Sequence, residues 1–157
     1  AEAASLAKIR SRKAEFTRQL AVLQAESDRI SASLRGRNTG SRPGRMVRPA
    51  DGAISSTFGT RVHPIFGDTR MHSGIDFASG MGSPVRAAAS GVVVSASYQS
   101  GYGNAVVINH GGGVATLYAH LSSFNVRAGQ TVTASMRIAS DGSQAWRAAL
   151  CRTNEYT

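Results

Sequence analysis

The chain contains a single cysteine, Cys151, among its 157 residues, so no disulfide can form within it. No stretch is long and apolar enough to make a membrane-spanning helix. Aromatic residues make up only 6% of the chain against 17 glycines, which points to short strands and tight turns rather than a large helical core. Acidic residues are also scarce: nine Asp and Glu stand against 18 Lys and Arg, a formal net charge of +9. Such a balance suggests a polyanionic partner, whether nucleic acid, anionic membrane or anionic cell wall. Nucleic acid is disfavoured, because neither an aromatic platform nor a recognised binding motif accompanies the charge. No signal peptide is visible. The chain starts at Ala1 inside a helical pattern and reads as a fragment, so that absence carries no weight.

The positive charge is unevenly spread. Residues 1–34 carry six basic and four acidic side chains, residues 35–50 five arginines and no acid, and residues 51–157 seven basic and five acidic side chains. More than half of the excess therefore lies in a 16-residue stretch holding three glycines and two prolines, which reads as a linker and as a tether to anionic material. Before it, Leu6, Ile9, Phe16, Leu20, Leu23, Ile30 and Leu34 recur in steps of three and four, with Lys13 and Ser27 filling the gaps. This predicts one long helix over 1–34 with a narrow apolar seam, a probable coiled coil, which needs a partner helix.

From Asp51 the period changes to two. Residues 54–58, 84–87, 91–98, 104–110, 114–119 and 131–133 read as strands separated by Gly, Ser and Asn turns. The expected fold is mainly antiparallel β preceded by the long N-terminal helix.

All four histidines, His63, His72, His110 and His120, fall in this β region. His72 and Asp76 form H-x-x-x-D, and imidazole plus carboxylate is a good zinc pair at about 2.0–2.2 Å each. On a straight strand residues four apart lie about 13 Å apart, so a shared ion requires a bend, which Ser73-Gly74 permits. A hydrogen-bonded turn is the plain alternative. His120 follows the strand-like run 115–119, where it can serve as proton donor or oxyanion stabiliser, or simply as a satisfied histidine. His110, against Gly111-Gly112-Gly113, and His63, before Pro64, read as structural.

Read in order, the segments STFGTRVHP (56–64), MHSGIDFA (71–78), GSPVRA (82–87), GVVV (91–94), GYGN (101–104), TLYAHLS (116–122) and VRAGQTV (126–132) resemble the lysostaphin-type (LytM) zinc metalloendopeptidase domains of bacterial cell-wall hydrolases. The resemblance covers residues 52–143. It implies an open groove in a β fold, Zn²⁺ held by His72 and Asp76 together with a later histidine, and His120 in a catalytic role. It implies peptidoglycan as substrate, hydrolysed at a cross-link or stem peptide bond, and a location in the bacterial cell envelope, whether periplasmic, membrane-anchored or secreted. The domain organisation expected is helix 1–34, linker 35–50, an incomplete peptidase domain 51–143 and a divergent tail 144–157.

The tail departs from the family, which ends in a strand bearing His-x-His. No histidine follows His120 in this chain. An ungapped alignment places Cys151 and Thr153 at the two histidine positions and Glu155 on the family's glutamate. Either the domain is a degenerate, non-catalytic relative, acting as activator or binding module for other wall hydrolases, or the coding sequence of the tail is altered; no single reading-frame slip restores a full His-x-His. With Arg147, Arg152 and Asn154 in place of the family's strand, the segment beyond Ser143 is expected to be disordered or misplaced, leaving a sheet edge unpaired.

Overall fold

A computed structural model describes residues 2–34, 41–62, 69–72, 74–142 and 146–152. Helix α1 (Glu2–Leu34) runs unbroken, as a segment without Gly or Pro allows. Short-range side-chain bonds support it, among them Gln24 Nε2 to Asp28 Oδ1 at 3.0 Å. Twelve strands follow: β1 (Ala53–Ser56), β2 (Gly59–Val62), β3 (Thr69–His72), β4 (Ile75–Ala78), β5 (Pro84–Arg86), β6 (Gly91–Gln99), β7 (Gly103–Gly111), β8 (Val114–Ala119), β9 (Leu121–Phe124), β10 (Thr131–Val132), β11 (Arg137–Asp141) and β12 (Trp146–Arg152). They form a seven-stranded sheet in the order β1-β4-β12-β8-β7-β6-β10, a three-stranded sheet β5-β11-β9 and a hairpin β2-β3, with every pairing antiparallel.

The large sheet is buried on both faces at β7 and β8, which explains their near-continuous apolar run. On one face Val106, Ile108 and Tyr118 join Phe77, Val85, Val93, Leu121, Val132 and Ile138 in the main core, completed by the small sheet. On the other face Ala105, Val107, Ala115, Leu117 and Ala119 form a second cluster, closed by Ile30 and Leu34 of α1 with Leu23 packed at its margin. Small residues on these strands let the helix approach closely. At the β6–β7 turn the approach is closest: a Cβ on Gly101 would stand 2.8 Å from Leu23 Cδ2, and its φ of +86° also requires glycine.

The heptad seam is therefore divided. Its C-terminal third packs on the chain's own sheet, whereas Leu6 and Ile9 are 48% and 50% exposed. The linker also differs from a loose tether where it is described. Val47 N donates to Ala88 O, Arg86 N donates to Pro49 O, and Ala50 is buried in the main core. Arg48 bonds the carbonyls of Ala50 and Gly52 and lies 5.3 Å from the Phe77 ring centroid, so part of the arginine charge is spent inside the fold.

The segment beyond Ser143 corrects the expectation of an unpaired edge. Residues 146–152 fill the slot between β4 and β8. Backbone pairing does not depend on side-chain identity, and leaving the slot empty would orphan the inward edges of both neighbours.

His110 lies within β7. Its buried ring donates from Nδ1 to Ser90 O at 2.8 Å, so Nε2 accepts from the Thr116 hydroxyl at 2.8 Å. Thr116 Oγ1 is 2.9 Å from Tyr118 Oη, which accepts from Ala88 N at 2.8 Å. Burial lowers the His110 pKa below its ordinary value, partly opposed by the Ser90 bond. In the unfolded chain the imidazole protonates near its ordinary value of about 6.5. The unfolded state thus binds more protons just below that pH, and the contribution of His110 to stability is complete above about pH 6.5 and lost as pH falls. Urea denaturation from pH 8 to pH 5 should show a midpoint that is flat at first and then declines, with the decline near pH 6 reduced in His110→Gln.

Candidate metal and acid–base site

His72 ends β3 and Asp76 lies in β4, with the buried Gly74 in the bend between the two strands. The bend that a shared ion requires is present: His72 Nε2 lies 3.2 Å from Asp76 Oδ1. The tautomer follows from the other nitrogen. Nδ1 lies 2.7 Å from Thr57 O, which can only accept, so Nδ1 carries a proton, and in the neutral ring Nε2 then holds a lone pair. Ser56 Oγ is 3.3 Å from the same Nδ1. Nε2 is buried and has no hydrogen-bond partner among the described residues. A lone pair facing a carboxylate oxygen is costly unless a proton or a metal cation lies between them. A backbone carbonyl fixing the distal N–H is also how metal-bound histidines are usually held.

The bend Ile54–Thr60 that supplies Ser56 and Thr57 lines an open cavity of about 290 Å³, with Phe58 61% exposed. Sequence reasoning missed this role for residues 56 and 57; no pattern in STFG marks a carbonyl aimed at an imidazole.

His120 sits in the exposed link between β8 and β9 with φ of 59°, one of two non-glycine residues with positive φ among the described residues. Its N donates to Tyr102 O at 2.9 Å and its carbonyl accepts from Gly142 N at 3.1 Å. A left-handed histidine held on both sides by backbone bonds is a strained position maintained by its surroundings. The register relates it to the pair. Asp76 stands opposite Arg147 of β12, and Arg147 opposite Ala119. Ala119, the neighbour of His120, is thus two strand spacings, about 10 Å, from Asp76.

That register puts a different residue beside Asp76 from the two that the ungapped alignment singles out. The β12 residue beside Asp76 is Arg147. Cys151 pairs with Ala115, about 13 Å further along the strand. Thr153 and Glu155 lie outside the described residues, as does His63. The His72–Asp76 pair fits a metal ion. A third ligand does not accompany it: no cluster of three His, Cys, Asp or Glu residues occurs among the described residues. A hydrolytic zinc centre uses three protein ligands and one open position, so the set fits the metal only in part.

The profile of peptidase family M23 matches residues 70–151. The DD-carboxypeptidase/endopeptidase Mpg of Neisseria meningitidis is 54% identical over 84 residues, 50% of this chain and 20% of that protein. The peptidoglycan DD-endopeptidase ShyA of Vibrio cholerae is 42% identical over 90 residues, 57% of this chain and 21% of that protein. The chain thus spans about a fifth of the length of these curated relatives. The catalytic domain of the antimicrobial peptidase lysostaphin from Staphylococcus simulans superposes with a TM-score of 0.53 at 30% identity, covering 63% of this chain and 77% of that one. With the profile matching just over half of its length and lysostaphin's catalytic domain sharing its fold, the chain belongs to peptidase family M23.

Proposed function

We propose that this chain is a peptidoglycan-directed M23 domain in which His72 and Asp76 are zinc ligands and His120 is the proton-donating, oxyanion-stabilising group. The observation that carries the reading is the buried, unbonded Nε2 of His72 facing Asp76 Oδ1. The names of the relatives support endopeptidase chemistry on wall peptides as the ancestral activity. With Arg147 beside Asp76 on β12 and no histidine after His120, the pair holds zinc loosely, and this chain binds wall peptides while cutting them slowly or not at all. Its place of action on this reading is the cell envelope, where peptidoglycan lies.

The intact sheet favours the second reading of the same site, a non-catalytic activator or binding module for another wall hydrolase: β12 keeps the architecture while its sequence has lost the histidines. Sedimentation with purified peptidoglycan tests the shared part. In high salt, which screens the +9 charge, the chain should co-sediment and release few soluble fragments. Co-sedimentation no greater than that of an unrelated protein of equal charge sinks both readings.

A further inference from the structure

We propose that the solvent-exposed N-terminal half of α1 is a docking surface for a partner helix of opposite charge, one whose apolar seam is flanked by Asp and Glu. The packing of α1 isolates this surface. The helix passes against the β6–β7 turn at Leu23, at the end of the sheet where Tyr102 accepts from His120 N. Residues before Leu23 run beyond the sheet for about 30 Å, at 1.5 Å per residue. Described side chains from Ser5 to Glu15 are all exposed, Leu6 and Ile9 among them at 48% and 50%. A helix of this length is marginal in water by itself.

The charge distribution selects the partner. Between residues 8 and 18 the helix carries Lys8, Arg10, Arg12, Lys13 and Arg18 against the single acid Glu15. The docked stretch 23–34 is different, with Glu26 and Asp28 against Arg29. Counting heptads from Leu6 as position a, Arg10 and Arg12 occupy the e and g positions beside the seam, and Lys13 falls within it. A second copy in parallel register would bring Lys13 against its own equivalent and offer no acid to Arg10 or Arg12. A lipid surface favours a broad apolar face, whereas this seam is narrow and has a lysine at its centre. A helix with acidic e and g residues meets all three cations.

The test uses the whole chain and two synthetic three-heptad peptides with Leu at a and d, one with Glu and the other with Lys at e and g. Isothermal titration should give one Glu-peptide per chain, weakening as salt is added, and no binding of the Lys-peptide. Arg10→Glu with Arg12→Glu, both at exposed positions, should reverse the preference. Leu6→Asp with Ile9→Asp should abolish binding while the denaturation midpoint stays unchanged. Equal binding of both peptides, self-association of the free chain in sedimentation equilibrium, or binding to anionic vesicles in place of the Glu-peptide would each overturn the proposal. None of these outcomes depends on the peptidase reading.

Discussion

Arg147→His should raise the zinc affinity of this chain on the order of a hundredfold. Loss of a residue that merely orients a ligand changes metal affinity by about 10–100-fold, and a ligand contributes no less. The argument rests on register. Position 147 is opposite Asp76 on one side and Ala119 on the other, so an imidazole there stands beside Asp76, whose Oδ1 lies 3.2 Å from His72 Nε2. Competition with a chromogenic zinc chelator gives the number. Arg147→Ala removes the same positive charge without adding a ligand and should give a far smaller gain. Cys151→His, the substitution that an ungapped alignment of the tail would favour, should give none, because Cys151 lies opposite Ala115. A gain in Cys151→His with none in Arg147→His would mean that the β12 register is wrong.

The second large effect is on stability. Leu34 is fully buried against the sheet, so Leu34→Ala should cost about 2–5 kcal/mol, the usual range for an aliphatic side chain truncated in a core. Leu6→Ala, at an equivalent heptad position but 48% exposed, should change stability by no more than about 0.5 kcal/mol. Urea denaturation followed by circular dichroism measures both. The contrast separates a helix that is part of the domain from a helix that belongs to a separate coiled coil, for which the two truncations would have similar effects. In Leu34→Ala the helix and sheet signals should still be lost together, because the docked third of α1 and the β7–β8 face form one cluster.

The elements that were legible in the sequence are those whose pattern has one physical cause. The three-and-four apolar spacing of α1 and the β-branched runs of β6, β7 and β8 declared themselves, to within a residue or two at each end. Ile75–Ala78, Leu121–Phe124 and Arg137–Asp141 did not, because they are short and their burial comes from neighbours distant in the chain. The use of the seam was also invisible. A spacing of three and four says that a helix face is covered, not whether a helix or a sheet covers it. At the site, the H-x-x-x-D spacing pointed to His72 and Asp76, and their 3.2 Å approach agrees with the bend inferred there. The Thr57 carbonyl that fixes the His72 tautomer was not legible, since a backbone atom leaves no mark on sequence. The tail misled in a more instructive way. Its side chains suggested exclusion from the sheet, yet the backbone of 146–152 pairs in the slot between β4 and β8.

The account's central claim is that this chain carries a zinc half-site without its third ligand. Zinc content of the purified chain, measured by metal analysis after dialysis against a weak chelator, tests it most directly. The account predicts retention well below one zinc per chain, with Arg147→His approaching one. Retention of one zinc per chain by the unaltered protein, lost in His72→Ala, would contradict it and place a third ligand in residues beyond those described.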